Sequence, residues 1–429
     1  MKPFFEVQPV EAVWALAEAV APLPAETAPL GEASGRTLAE PFHAPHDLPG
    51  FARSSMDGYA VRARDTFGAS EGEPAYLALQ GEVTMGQAPA FALRPGHCAR
   101  IGTGGMLPQG ADAVVIVEHT REAEADLVEV SAAAAPGAHV LGPSDDAARG
   151  ELLFEAGHLL RPQDIGLLAA LGQSRLLVSR RPRVGILSTG DEVVPVESPL
   201  GPGQVRDVNS LALAALVRDA GGEPLGLGLV GDDPALLRAA MRRSLAEADL
   251  TILSGGSSVG ARDLTAEIFG EAPDARLLVH GVSVAPGKPF LWVSTGTHNL
   301  LGLPGQVTSC QVTFHLFVEP ILERLLGRAA RPFLRFGRLR ARLTRNIPSS
   351  PGRTLFQRVR LAPDGPAWLA EPVVGRSGLL RSLVKAHGLV QVPLGTEGFE
   401  SSSMVEVLVF PGERLPWPAA SGGAPTPTP

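Results

Sequence analysis

Five short stretches between residues 188 and 306 hold the residue types that bind a phosphate and a divalent cation. They are STGDE (Ser188 to Glu192), GDD (Gly231 to Asp233), SGGSSVGARD (Ser254 to Asp263), PGKP (Pro286 to Pro289) and GLPGQ (Gly302 to Gln306). Small residues and hydroxyls let a backbone come close to a phosphate. Ser188, Thr189 and Gly190 form the first candidate group, and Gly255, Gly256, Ser257, Ser258 and Gly260 the second. Pro286, Gly287 and Pro289, then Gly302 and Pro304, complete the candidate binding set. The acids Glu192, Asp232 and Asp263 have the chemistry to hold Mg²⁺, which takes few carboxylates and leaves room for substrate phosphates. Asp232 and Asp263 also read as simple helix N-caps. Of the 37 basic residues only Lys2, Lys288 and Lys385 are lysine, so a lysine inside PGKP stands out. A compact ammonium on a flexible stem suits a small tetrahedral dianion better than the planar guanidinium fork.

The elements that must position these residues follow from the pattern around them. RPRVGILSTG reads as a buried strand, and DVNSLALAALVRDAGG as a helix with a polar start and a glycine stop. PLGLGLVG, DDPALLRAAMRRSLAEA and DLTILSGG continue the alternation, which predicts an open parallel α/β domain over 181–328. Such sheets bind ligands at the carboxyl ends of their strands, where the five stretches fall. Residues 8–21 and PQDIGLLAALG have helical spacing. Residues 22–52 read as an extended linker, 46–145 as a β-rich domain, and 329–415 as a small C-terminal β-barrel. Residues 1–45 and 146–180 would form a discontinuous first domain around the β-rich insertion, and 416–429 a disordered tail. GLGLVG (Gly226 to Gly231) matches a dinucleotide fingerprint, but its first glycines fall inside a strand. GSSVG (Gly256 to Gly260) matches a nucleophile elbow without the further signature that a hydrolase needs; a glycine loop for an anion is the preferred reading.

With 429 residues, 45% of them hydrophobic, the chain is long enough for several packed domains. A net charge of −8 argues against nucleic-acid binding. Cys98 and Cys310 have no metal spacing and read as reduced thiols, which fits a cytoplasmic protein. No apolar run is long enough for a membrane span.

RSSMDGYAV (Arg53 to Val61), GTGGMLPQGADAVVIVE (Gly102 to Glu118), STGDEVV, SGGSSVG, PGKPF and GLPG occur in this order. Together they resemble the molybdopterin molybdenumtransferases, the MoeA and gephyrin E-domain family. The resemblance covers about residues 5–412. It implies an elongated homodimer whose α/β domain has the molybdopterin-binding fold. It also implies a reaction in which molybdate enters adenylylated molybdopterin as the adenylate is hydrolysed with Mg²⁺ and AMP leaves. By motif it assigns catalytic roles to Asp57, Thr103, Asp146, Glu192, Asp232 and Lys288, and places Arg358 and Ser377 beside the oxyanion. The implied site is shared between the two subunits. A molybdopterin adenylyltransferase and molybdoenzyme-maturation proteins are the implied partners.

The chain departs from the family pattern at several places. Ala285 stands where the family has the first lysine of KPGKP, and Gly281 and Leu141 stand near other basic positions. GLP is followed by Gly305, Gln306 and Val307, and a longer glycine loop is reduced to GRSG around Ser377. Each lost cation removes attraction for a dianion. Beside an active transferase, two readings therefore stand: a member that binds the pterin nucleotide or a partner with weakened insertion chemistry, and a tungstate-handling paralogue.

Overall fold

The computed structural model describes residues 7–255, 259–375 and 378–415, with the side chains of 259–263 left aside. The chain divides into two compact units. One comprises residues 1–26, 35–39 and 177–429, and the other 27–34 and 40–176.

The second unit is built on a six-stranded sheet in the order Ala113–Ile116, Gly58–Val61, His97–Ile101, Ala75–Glu82, Leu127–Val130, Thr120–Glu124. Gly58 has to be glycine, because a Cβ there would lie 2.0 Å from the Val115 carbonyl oxygen. Residues 22–52, expected as a linker, instead supply paired strands: Phe42–His43 runs antiparallel to Leu152–Phe154. Arg53–Ser54 pairs with Val140–Leu141.

In the first unit, helix α1 (Val10–Glu18) buries Val10, Val13 and Ala17 on one side. The α/β domain follows as β1 (Arg183–Thr189), α2 (Asn209–Asp219), β2 (Glu223–Val230), α3 (Pro234–Glu247), β3 (Leu250–Gly255), α4 (Val259–Gly270), β4 (Arg276–His280), β5 (Leu291–Ser294), β6 (Asn299–Pro304) and α5 (Val307–Thr313). The sheet order is β2-β1-β3-β6-β5-β4, parallel except for β5. Successive side chains of a strand alternate faces. Val184 and Ile186 of β1 therefore pack with Leu213, Val217 and Phe314 on one side, while Leu187 packs with Leu237, Met241 and Phe269 on the other. Gly226 and Gly228 do lie within β2, as read from the sequence.

Helix α5 runs through a five-residue π-helical turn (Phe314–Val318) into α6 (Glu319–Leu325). Pro320 lacks the N–H that an α-helix would direct at the Leu316 carbonyl. The Trp14 indole of α1 donates to that carbonyl instead, at 2.9 Å. A five-stranded barrel closes the unit, formed by β7 (Gly337–Leu343), β8 (Thr354–Asp364), β9 (Ala367–Pro372), β10 (Gly388–Val392) and β11 (Met404–Val409), with helix α7 (Leu380–Val384) between β9 and β10. Pairing of β8 with β10 removes the free edge. Among the described residues no helix is long and apolar enough to cross a membrane.

Candidate active site

The sheet order reverses between β1 and β3. The connection from β1 leads to β2 on one side, while that from β3 leads toward β6 on the other. In open α/β sheets the crevice beyond the carboxyl ends of such a pair is where ligands sit. A cleft of about 590 Å³ opens there, within the range of small-molecule sites. Its lining includes Ser188, Thr189, Glu192, Asp207, Asn209, Ser254, Gly255 and Gln306, with Gly378 and Leu380 from the barrel region.

The floor is held by hydroxyls and carboxylates. Ser188 Oγ donates to Asp207 Oδ1 at 3.0 Å and lies 3.2 Å from Ser254 Oγ, so the ends of β1 and β3 share one hydrogen-bonded chain. Thr189 Oγ1 donates to Asp232 Oδ1 at 3.2 Å. Asp233, not Asp232, caps α3 by accepting from the N–H groups of Ala235 and Leu236. The neighbouring Asp232 is therefore free of capping, exposed, and oriented by Thr189. Gly255 has φ +147°, and a Cβ there would lie 2.5 Å from the Thr189 carbonyl oxygen. Close approach of the two strand ends thus depends on glycine.

Arg358 is buried at 8% exposure. Its guanidinium donates to Thr308 Oγ1 at 3.3 Å, to the Gly375 carbonyl at 2.8 Å and to Ser382 Oγ, and burial pulls its pKa down. It thus ties Thr308, at the start of α5, to Gly375 after β9 and to Ser382 of α7. Lys288 is exposed, its carbonyl accepting from Val282 N at 2.8 Å, and it does not line the cleft. Nor do Gly190, Pro286, Gly287, Pro289, Gly302 and Pro304. Gly260 lies in the first turn of α4. Gly256, Ser257, Ser258, Ser377 and the Asp263 side chain fall outside the described residues.

In the other unit, Asp57 Oδ1 accepts from both the backbone N–H of Thr103, at 2.6 Å, and its hydroxyl, at 2.8 Å. The backbone bond first and the hydroxyl second hold the Asp57 carboxyl below its ordinary pKa. Asp146 is exposed, with its N–H on the Leu48 carbonyl at 2.9 Å.

Among the described residues no three His, Cys, Asp or Glu side chains converge to hold a metal. Glu192 and Asp232 are exposed acids near the sheet edge. That donor set fits Mg²⁺, which is content with one or two carboxylates plus substrate phosphates. Asp207 and Asn209 are absent from the sequence-derived site. In DVNSLAL they read only as helix-start residues, yet both line the cleft.

Residues 8–172 match the MoeA N-terminal region (domain I and II), residues 185–324 a probable molybdopterin binding domain, and residues 340–410 the MoeA C-terminal region (domain IV). The chain belongs to the MoeA family. A molybdopterin molybdenumtransferase of Nostoc sp. is 35% identical over 389 residues, covering 90% of this chain and 89% of the relative. Molybdopterin molybdenumtransferase 2 of Mycobacterium tuberculosis is 37% identical, covering 86% of this chain and 90% of that protein. The crystal structure of a molybdopterin biosynthesis MoeA protein from Pyrococcus horikosii superposes with a TM-score of 0.80 at 36% identity, covering 95% of this chain and all of that one. The MoeA multidomain fold accounts for the α/β domain, the β-rich N-terminal region and the C-terminal barrel. Membership of the MoeA family places the chain in molybdenum cofactor biosynthesis.

Proposed function

We propose that the chain inserts molybdate into adenylylated molybdopterin. The observation that carries this reading is the cleft at the reversal of the sheet, with Ser188, Thr189, Ser254 and Gly255 at its floor, in a chain of the MoeA family. Small residues and hydroxyls there receive the phosphates. Asp232, aimed by Thr189, and Glu192 face the same edge and with Asp263 would hold Mg²⁺. The ion would neutralise phosphate charge while the adenylate is cleaved. The two dithiolene thiols give up their protons and bond molybdenum while one molybdate oxygen leaves with those protons as water; a second water adds to a phosphorus of the anhydride, the P–O bond between pterin phosphate and adenylate breaks, and AMP leaves. Lys288 supplies positive charge for the oxyanion, and Arg358 holds Gly375 and Ser382 in place beside it. Asp57, Thr103 and Asp146 complete the site from the partner subunit of a homodimer. A molybdopterin adenylyltransferase is the natural supplier of the substrate.

A second reading, pterin-nucleotide binding with weakened insertion, is favoured by Ala285 and Leu141 standing where the family carries basic residues. One experiment separates the two. The purified protein is mixed with adenylylated molybdopterin and Mg²⁺, with and without molybdate, and AMP is followed by chromatography. Molybdate-dependent release that falls in Lys288→Ala and Asp232→Ala supports the transferase. Retention of the intact nucleotide supports the second reading.

A further inference from the structure

We propose that Asp207 is the residue that reads the amino-pyrimidine edge of the pterin ring, the edge carrying adjacent N–H and NH₂ donors. The inference rests on the functional reading above and adds to it the point of ring recognition.

Asp207 precedes α2, is 8% exposed and lines the cleft. Its Oδ1 accepts from Ser188 Oγ at 3.0 Å and from Ser210 N at 3.1 Å, which uses both lone pairs of that oxygen. Among the described residues no hydrogen bond reaches Oδ2, and no cationic side chain forms an ion pair with this carboxylate. The adjacent Arg206 is committed to the carbonyls of Val196, at 2.8 Å, and Ser198, at 3.4 Å. Asn209, also 8% exposed, donates from Nδ2 to the Gly305 carbonyl at 2.9 Å. That bond fixes which way its amide faces and leaves Oδ1 buried without a partner.

Asp207 Oδ2 is therefore an acceptor in the cleft lining on which no donor of the described residues sits, while Asn209 Oδ1 is sealed beneath it. An open buried acceptor costs on the order of 1–3 kcal/mol, and more when ionised, until a donor fills it. A phosphate or molybdate oxygen would be repelled. The Watson–Crick edge of adenine alternates donor and acceptor and would set N1 against an oxygen. A 2-amino-4-oxopyrimidine presents N3–H and 2-NH₂ side by side, two donors that the free lone pairs of Asp207 Oδ2 can take. The plain structural duty of Asp207, accepting from Ser210 at the start of α2, is one that asparagine performs as well.

The test is a fluorescence titration of the full chain with 6-hydroxymethylpterin and with its lumazine counterpart, in which oxygen replaces the 2-amino group. Each titration is run with and without Mg²⁺ and with AMP as competitor. The wild type is expected to prefer the pterin by at least about tenfold. Asp207→Asn is expected to weaken pterin binding by roughly 10–100-fold, the range for a charge-assisted hydrogen bond, and to bring the pterin-to-lumazine ratio near one. Asp207→Ser, which also caps, is expected to do the same, and unchanged urea midpoints show that both variants fold. Equal wild-type affinity for the two rings, no pterin binding up to millimolar concentration, or equal loss of both rings in the variants overturns the proposal. So does an Mg²⁺ dependence that vanishes in Asp207→Asn, which would make the residue a cation ligand, and so does competition by AMP. If only the transferase reading fails, AMP release is missing while the pterin-to-lumazine discrimination survives.

Discussion

The carbonyl oxygen of Thr189 limits what residue 255 can be. With a Cβ 2.5 Å from that oxygen, Gly255→Ala must push the ends of β1 and β3 apart or adopt a strained backbone. We expect a loss of about 1–3 kcal/mol of unfolding free energy, read from urea titrations, and, on the transferase reading, at least a tenfold fall in AMP release. Asp57 tests a gentler effect. Thr103→Val keeps the backbone bond, the larger cause of the lowered pKa, and removes the hydroxyl. The Asp57 titration, followed by carboxyl-carbon NMR, should move part of the way up toward the ordinary value. A carboxyl depressed in the folded state contributes stability above its unfolded pKa and loses it as pH falls through the folded pKa. The variant should therefore lose this contribution at a higher pH than the wild type. At this scale the sequence was legible at the ends of β1 and β3, where Ser188, Thr189, Ser254 and Gly255 do line the cleft; Lys288, singled out for its rarity, does not line it. The sequence was not legible for Asp207 and Asn209, because Asp and Asn before a helix have an ordinary capping use that hides a second one. Nor could it tell which of Asp232 and Asp233 caps α3, since adjacent aspartates differ there only in backbone angle.

Helix ends and interruptions offer the next set of tests. The helix Pro162–Ala170 opens on Asp164, whose carboxylate accepts from the backbone and guanidinium of Arg161 and lies 2.8 Å from His158 Nε2. The Arg161 guanidinium leads in holding the Asp164 carboxyl well below the usual carboxylate range. Asp164→Ala should cost roughly 2–3 kcal/mol at neutral pH. The difference from wild type should shrink as pH drops below about 4, the unfolded value, toward the depressed folded one. Denaturant titrations at a series of pH values check this. In the other unit, Trp14→Phe leaves the Leu316 carbonyl without its indole donor and should cost about 1–3 kcal/mol. Strand and helix alternation was readable because buried parallel strands have apolar runs and the helices between them carry polar starts. The π turn was not: the run around Pro320 looks like one continuous helix, and only a donor from Trp14 shows how the freed carbonyl is satisfied.

Across the whole chain, aromatic residues are divided between the two units. Of the four tryptophans, Trp14, Trp292 and Trp368 lie in the first unit and Trp417 falls outside the described residues, while Tyr59 and Tyr76 lie in the second unit. In a Trp417→Phe background, tryptophan emission therefore reports the α/β and barrel unit. That unit also holds His298, whose Nε2 lies 2.7 Å from Thr251 Oγ1. Burial pushes its pKa down to about 4, against opposing pulls from Asp249 and the Ala248 carbonyl. The unfolded chain binds this proton below about pH 6.5 while the folded chain refuses it until about 4, so stability falls as pH drops through that window. The slope from this group approaches about 1.4 kcal/mol per pH unit. His298→Gln should flatten the tryptophan-monitored dependence. The order of domains along the chain was readable, because each has its own periodicity. The destination of α1 was not. Its apolar stripe shows that it needs a partner, but Leu316 lies 302 residues from Trp14.

That separation has a consequence in time. A ribosome releases α1 long before it makes the helix that α1 covers. At about 5–20 residues per second, the wait is on the order of 15–60 s. Through that interval Val10, Val13 and Ala17 have no native surface to meet. A nascent chain stalled before residue 316 should therefore present α1 to chaperones, and one stalled well past residue 325 should not. Crosslinking at position 13 in the two stalled complexes would show the difference.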